Sequence, residues 1–386
     1  MRIRISLAVL LILELGCSSA VRLQEEVQIS PEELLTGAYS LPTDEPPAII
    51  DRTNVLSLSS EMRHFLGENV DIKAGSSLKL HQLVYAIINK ETFGLEYDDR
   101  TRTASETFSR RRGNCLSFSN MFFTMAREVG LDVHFQEVDI PPDWTFKQDA
   151  YLLNRHVNIY VNLGRDAQQV VDFNIEDFKS SYDMRIIRVN RALAHFYNNK
   201  AVENLQKGDL PAAFINLRMA IVECDSKFSP AWTSLGTVYI RKKLPNHAEA
   251  AYLQALKVDR LDLVAMSNLV ALYAGRGDLE KADIYRNKVI SHRKQNPYYR
   301  FHLGREAFFS HDFDTAIRHL RYAVRKRPNE DQFAFLLGLV YLQKGEEAAA
   351  RRWMARAEEV AASDVLKRNY STKMDILLSA SDSLHH

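Results

Sequence analysis

The sequence predicts an α+β domain followed by an all-α solenoid of paired helices. Two observations lead to this prediction. The C-terminal half repeats its small and apolar residues every 34 positions, a period typical of stacked helical units. The preceding part mixes helical periodicity with strand alternation. It also places a cysteine, a histidine and an aspartate where a thiol active site would need them.

The repeat is clearest in a column of alanines spaced by 35, 34, 34 and 34 residues: Ala213, Ala248, Ala282, Ala316 and Ala350. A second column keeps the same spacing: Ala220, Ala255, Val289, Ala323 and Ala357. Small residues allow two helix axes to approach closely, and each helix pair buries its apolar face by stacking on its neighbours. We therefore expect a solenoid of about five helix pairs.

This periodicity resembles the tetratricopeptide (TPR) family over residues 194–361, and the resemblance implies binding of a protein or peptide partner in a concave groove. In the family, certain positions on the first helix of each repeat line that groove. On the fourth and fifth repeats they correspond to Tyr298, Phe301, Arg305, Phe308, Gln332, Phe335, Leu339 and Leu342. The alternative is that some of these side chains pack against the next repeat.

Cys115 lies at the start of a predicted helix. The apolar residues that follow it have helical spacing: Phe118, Met121, Phe122, Met125 and Val129. The free amides and the dipole at a helix N-terminus favour thiolate, which is the nucleophile. The backbone amide of Cys115 would supply one oxyanion-hole donor. Gln136 and Trp144 are candidates for the second.

His156 and Asp172 lie on two segments that alternate like strands on either side of a turn at Gly164. A hairpin centred on Gly164 pairs residues whose numbers sum to 328, and His156 and Asp172 are such a pair. The pairing depends on register, since a shift of one residue moves a side chain to the other face. With Cys115 as nucleophile, His156 would act as base and Asp172 would orient the imidazole.

These segments are similar to the transglutaminase-like superfamily, whose domain has a papain-like cysteine hydrolase architecture. Arg112-Gly113-Asn114-Cys115 resembles its nucleophile helix, and the segments containing His156 and Asp172 resemble its His and Asp strands, in the family's order. The resemblance implies acyl transfer on a peptide or isopeptide amide. The chain departs from the family pattern at Asn158, where Trp is frequent, and at Phe173, where a small residue or Pro is more common.

Two functions stay open from the sequence. One is a thiol enzyme working through an acyl-enzyme, with hydrolysis favoured over transamidation because water needs no second binding site. The other is a catalytically silent transglutaminase fold that serves as a TPR interaction scaffold. No cofactor and no metal are expected, because no set of His, Cys and Glu has ligand spacing and no phosphate-binding glycine loop occurs.

The N-terminus has the layout of a secretory signal peptide, with Arg2 and Arg4 before a short apolar run. Leu15-Gly16-Cys17 resembles a bacterial lipobox, although Glu14 stands where Leu is usual. This predicts cleavage before Cys17 and attachment to a membrane through a lipid anchor on its thiol. By resemblance to the sorting rule of enteric-type bacteria, Ser18 after the cysteine favours the outer membrane of a Gram-negative bacterium, facing the periplasm.

Charge and cysteine content exclude other classes. The 386 residues carry a formal net charge of +1, so no nucleic-acid partner is expected. Three cysteines cannot form a multi-disulfide framework, and Cys224 is expected to be a small buried apolar residue. The predicted division is signal peptide 1–16, tether 17–55, α+β domain 56–190, solenoid 191–363, and capping helix and tail 364–386.

Overall fold

The computed structural model describes residues 29–36, 49–139, 155–164, 167–173, 183–361, 366–373 and 376. The predicted signal peptide, Cys17, most of the tether and Trp144 lie outside these residues. The helices of the first part are α1 (Pro31–Thr36), α2 (Arg52–Val55), α3 (Ser60–Asn69), α4 (Ser76–Ile88), α5 (Ala104–Arg110) and α6 (Cys115–Glu128). Its strands are β1 (Glu96–Tyr97), β2 (Arg112–Gly113), β3 (Asp132–Asp139), β4 (Arg155–Gly164), β5 (Ala167–Val171) and β6 (Asp183–Ile187).

Helix α6 is the centre of the α+β domain. All its residues from Leu116 to Ala126 are buried, so it is covered on every side and not only along one apolar stripe. Strands β5, β4, β3 and β6 form an antiparallel sheet in that order. The ring of Phe123 on α6 stacks on Phe135 of β3, with centroids 4.3 Å apart. This contact fixes the helix against the sheet.

The β4–β5 hairpin has a register two residues away from the predicted one. Ile159 pairs with Val171 and Tyr160 with Val170, so paired numbers sum to 330 and the predicted sum of 328 is wrong. The ladder is irregular between Asn162 and Gly164, and such an irregularity cannot be placed by symmetry about a turn residue. Because side chains alternate with a period of two, the shift leaves every residue on its predicted face.

The C-terminal part is a series of antiparallel helix pairs. Its helices are α7 (Val189–Lys207), α8 (Leu210–Arg218), α9 (Ser229–Arg241), α10 (Pro245–Val258), α11 (Leu263–Gly275), α12 (Leu279–Gln295), α13 (Pro297–Phe309), α14 (Phe313–Lys326), α15 (Asp331–Gln343) and α16 (Glu347–Val360). A π-helical turn, Met219–Cys224, continues α8. The five alanines of the first column are fully buried, as close helix packing requires.

Helix α7 joins the two parts through a buried cluster of charges. The carboxylate of Glu137 on β3 lies 2.6 Å from Nε2 of His195 and 3.2 Å from Nε of Arg191, both on α7. Arg185 also binds this carboxylate, whose side chain is 1% exposed. Burial alone would raise the pKa of Glu137. The hydrogen bond from His195 and the three positive charges hold that pKa well below its usual range.

Both ends of the described chain pack on the solenoid. Helix α1 lies within the segment predicted as a tether, and its Leu34 is buried. Residues 366–373 are helical within the segment expected to cap the array, and Tyr370 packs on Phe335 with ring centroids 4.9 Å apart. Among the described residues, every helix is too short or too polar to cross a membrane.

Candidate active site

The helix start at Cys115 depends on the two preceding residues and on Ser117. Asn114 caps α6, and its Oδ1 accepts a hydrogen bond from the amide of Ser117 at 2.9 Å. Gly113 lies so close to this turn that a Cβ there would come within 2.6 Å of the Ser117 Cβ. The Gly-Asn-Cys order therefore reflects packing and capping. Cys115 is the first residue of α6, and its amide has no acceptor within the helix.

A second set of hydrogen bonds joins the loop that contains Asp98 and Arg102 to the first turn of α6. The hydroxyl of Ser117 accepts from the amide of Arg102 at 2.9 Å. The Arg102 guanidinium binds both oxygens of Asp98, at 2.6 and 2.7 Å. Such bidentate pairs fix geometry as well as charge. The result is a rigid support on which the half-buried thiol of Cys115 sits.

His156 and Asp172 are in direct contact. Nε2 of His156 on β4 lies 2.6 Å from Oδ2 of Asp172, the residue after β5. Their side chains are 10% and 3% exposed. In the observed register the two residues are diagonal neighbours, and long side chains on one sheet face still meet at that separation.

The imidazole of His156 also reaches the thiol of Cys115. Burial alone would lower the pKa of His156, but hydrogen bonds with Asp172 and Cys115, and the negative charges of both groups, raise it to about 9. Because Asp172 binds Nε2, Nδ1 is the ring nitrogen left for the thiol. The structure thus brings together all three residues predicted as nucleophile, base and orienting group.

Family comparisons locate both parts of the chain. Residues 69–175 match the family model of the transglutaminase-like superfamily core, a range that contains Cys115, His156 and Asp172. Tetratricopeptide repeat models match residues 229–260 and 301–364. The chain carries a transglutaminase-like domain followed by TPR repeats. The predicted fold class is confirmed.

Several solved structures are similar to about half of this chain. YrrB, described as a TPR protein with an unusual peptide-binding site, is 18% identical over 46% of this chain and 92% of its own, with a TM-score of 0.24. MamA from Desulfovibrio magneticus RS-1 is 16% identical, and the match covers 43% of this chain and 94% of MamA, with a TM-score of 0.24. PilF of Pseudomonas aeruginosa is 16% identical, and the match covers 50% of this chain and 90% of PilF, with a TM-score of 0.27. A comparison with curated proteins gives no match.

Two residues of the transglutaminase-like site were not anticipated from the sequence. Asn158 donates from Nδ2 to Oδ2 of Asp172 at 2.9 Å. The hydroxyl of Ser119 on α6 donates to the carbonyl oxygen of Val157 at 2.9 Å, which ties the nucleophile helix to the strand beside His156. Strand alternation would have placed Asn158 on the face of His156. Nothing in the spacing pointed to Ser119.

Three aromatic side chains pack together next to Asp172. The ring of Phe173 packs on Phe118 of α6 and on Tyr97, with centroids 5.4 and 6.2 Å away. Burial, followed by the negative charge of Cys115, raises the pKa of the Tyr97 hydroxyl. The large residue after Asp172 therefore links α6 to β1 through aromatic contacts.

Of the two candidates for the second oxyanion-hole donor, Gln136 and Trp144, the structure describes only Gln136. Gln136 is buried on β3, directly opposite Asn158, with its Oε1 unpaired among the described residues. Trp144 lies outside the described residues. No group of three His, Cys, Asp or Glu side chains that could hold a metal occurs within the part of the chain that the structure describes.

The residues predicted to line the TPR groove are mostly engaged with neighbouring elements. Tyr298 donates from its hydroxyl to Glu330 at 2.6 Å, and Phe301 stacks on Phe333 with centroids 4.7 Å apart. Phe308 lies 6.3 Å from the Phe313 ring, and Phe335 contacts Tyr370. Arg305 is exposed. Gln332 is exposed as well, and the binding role of these side chains stays a prediction.

Proposed function

We propose that this protein is an exported lipoprotein whose transglutaminase-like domain performs thiol acyl transfer on peptide or isopeptide amides. The observation that carries the proposal is the position of His156, held by Asp172 at 2.6 Å and hydrogen-bonded to Cys115. Scaffold proteins that have lost catalysis have no need of an intact Cys-His-Asp set. The TPR repeats would recruit the substrate or a partner protein.

The proposed reaction proceeds in two steps. The Cys115 thiolate attacks the carbonyl carbon and forms a carbon–sulfur bond while the carbonyl electrons move to oxygen. The intermediate collapses, the carbon–nitrogen bond breaks, and the leaving amine takes a proton from the His156 imidazolium. Water then attacks the thioester, gives its proton to His156, and releases the acid and the thiol. An amine acceptor in place of water would give a new amide.

The role of each supporting group follows from its contacts. Asp172 keeps the imidazole oriented and stabilises its charged form, without itself accepting the proton. The amide of Cys115, free of an intrahelical acceptor, would donate to the oxyanion. Hydrolysis is preferred over transamidation because water requires no second binding site.

Selective alkylation tests the proposal. Burial raises the pKa of Cys224 to about 11, so this second half-buried thiol is an internal standard for slow reaction. We expect iodoacetamide at pH 5.5 to modify Cys115 at least tenfold faster than Cys224, as followed by peptide mass spectrometry. His156→Ala should return the Cys115 rate towards that of a simple thiol. His134→Ala, which removes an exposed histidine of β3, should preserve it.

The same experiment distinguishes the competing function. Equal, slow modification of Cys115 and Cys224 in the folded wild-type chain would favour a silent fold that acts as a TPR scaffold at the cell envelope. If Cys115 is selectively reactive, incubation with a fluorescent primary amine and a peptide glutamine substrate separates the two reactions. Incorporation of the amine indicates transamidation, and release of free acid alone indicates hydrolysis.

A further inference from the structure

A second candidate site lies on the solenoid, away from the thiol. A cleft of about 880 Å³ opens between α10 and α12 and is termed here the α10–α12 cleft. Its apolar floor is formed by Leu253, Leu256, Met266 and Tyr285. Helices α10 and α12 are the second helices of their pairs. The cleft is therefore distinct from the groove lined by first helices, to which the predicted residues Phe301 and Arg305 belong.

The rim of this cleft is positively charged without compensation. Lys257, Arg260 and Lys288 line it and are exposed, and none of its lining residues is a carboxylate. In the described part of the chain these three cations form no ion pair, although the ammonium of Lys288 lies 4.9 Å from the ring centroid of Tyr285. Uncompensated charges of one sign around a concave surface attract a ligand of the opposite sign.

One end of the cleft already holds a short acidic helix of the same chain. Pro31 and Leu34 of α1 line that end, and Leu34 is 1% exposed. The hydroxyl of Tyr239 donates to the backbone oxygen of Leu34 at 2.5 Å. Glu32, in the first turn of α1, stays exposed to solvent. Helix α1 therefore resembles a fitting ligand, with a buried leucine and an exposed glutamate.

We propose that the α10–α12 cleft binds an acidic amphipathic helix of a protein partner, lying next to α1. Its apolar side chains would pack on Leu253 and Tyr285, and its carboxylates would pair with Lys257 and Lys288. An apolar floor with a cationic rim matches the two faces of such a helix. This site would recruit a partner independently of the thiol chemistry and of the concave groove.

Fluorescence anisotropy with the full chain tests the site. The probe is a fluorescein-labelled helical peptide of about three turns, with leucines at i, i+3, i+4 and i+7 and glutamates elsewhere. We expect saturable binding that weakens as salt is raised. The double variant Lys257→Glu/Lys288→Glu should lose at least tenfold in affinity, and Tyr285→Ala should lose a similar factor. Lys207→Glu, an exposed cation at the end of α7, should bind like wild type.

Several outcomes would overturn the proposal. Absence of binding, equal binding by the charge-reversed variant, or equal binding of a peptide with lysine in place of glutamate would each reject it. Binding of phosphatidylglycerol vesicles that is lost in the charge-reversed variant, without peptide binding, would assign the cleft to a lipid surface instead. Lys257 and Lys288 are exposed, so the variants should retain the wild-type melting curve. Cys115→Ser should bind the peptide like wild type, because none of the residues that line the cleft belongs to the thiol site, so this result is independent of the proposed catalysis.

Discussion

Asn158 and His156 bind the same carboxylate oxygen: Nδ2 of Asn158 lies 2.9 Å, and Nε2 of His156 lies 2.6 Å, from Oδ2 of Asp172. The register makes Asn158 the residue opposite Asp172, while His156 is diagonal to it. Asn158 is fully buried. A buried carboxylate with two donors on one oxygen has little freedom to rotate, and its orientation in turn sets that of the imidazole.

Asn158→Ala should therefore weaken the triad without removing any member of it. We expect the rate of Cys115 alkylation at pH 5.5 to fall roughly three- to tenfold, as for the loss of one hydrogen bond of typical strength. Asp172→Ala should lower the alkylation rate further, because it removes the acceptor of both hydrogen bonds. Asn162→Ala is the matched control, because Asn162 lies on the same face of β4 but binds the exposed Asp132. Equal losses in Asn158→Ala and Asn162→Ala would contradict a specific positioning role.

Much of this arrangement could be predicted from local patterns. Helical spacing after Cys115 located α6, and strand alternation placed His156 and Asp172 on one face, because both signals depend on short-range periodicity. The register could not be predicted as well. A hairpin's register depends on turn geometry, and an irregularity such as the one near Gly164 leaves no mark in the alternation.

Contacts between distant segments were beyond sequence reasoning. The bond from Ser119 to the Val157 carbonyl joins residues 38 positions apart, and the cluster around Glu137 links β3 to α7 over 58 positions. No pattern of residue spacing predicts either contact, because each depends on how whole helices and strands pack together. For the same reason, the sequence could not decide whether Tyr298 and Phe301 line the groove or pack against Phe333, as the structure shows them to do.

The raised pKa of His156 predicts a pH dependence with a definite sign. Its folded-state value of about 9 lies above the ordinary histidine value of about 6.5, so the charged imidazole stabilises the fold fully below pH 6.5. That contribution, about 3 kcal/mol at most, is lost as pH rises through about 9. Urea denaturation of wild type and His156→Gln should show a stability difference at pH 6 that shrinks at pH 10. A difference that grows with pH would refute the assignment.

Export can be tested at Cys17. The sequence predicts a lipidated mature N-terminus, so Cys17→Ser should prevent lipid attachment and move the protein from the membrane fraction to the soluble periplasmic fraction. Ser18→Ala, one residue away, should leave the membrane association unchanged. A Cys17→Ser protein that stays membrane-bound and uncleaved would indicate an uncleaved anchor instead.

Close packing of the TPR helices predicts a strong dependence on side-chain volume. Ala316 is fully buried on α14, and a Cβ on the facing Gly304 would already lie 3.4 Å from its carbonyl oxygen. Ala316→Leu should lower the free energy of unfolding by roughly 1–3 kcal/mol through overpacking. Ala274→Leu is the control, since Ala274 is exposed on α11. Chemical denaturation measures both, and equal stabilities would argue against tight packing at this column.

The charge cluster at the junction of the two parts predicts acid sensitivity. Glu137 is buried against His195 and Arg191, so removing its carboxylate leaves positive groups without their partner. Glu137→Ala should lower the free energy of unfolding at pH 7 by about 3–5 kcal/mol, as for a broken buried ion pair. The pKa of Glu137 is depressed in the folded state. Its contribution is therefore complete above the ordinary glutamate value of about 4.3 and is lost as pH falls towards the folded-state value.

Glu128→Ala provides the matched comparison for Glu137→Ala. Glu128 pairs with Arg63 at the surface, 3.4 Å away, and both side chains are well exposed. Its removal should change stability by less than about 1 kcal/mol. Urea denaturation at pH 7 and pH 4 then separates the two sites, because the deficit of Glu137→Ala relative to wild type should begin to narrow at pH 4. If both variants lose the same small amount at pH 7, the cluster does not hold β3 to α7, and the junction depends on apolar contacts alone.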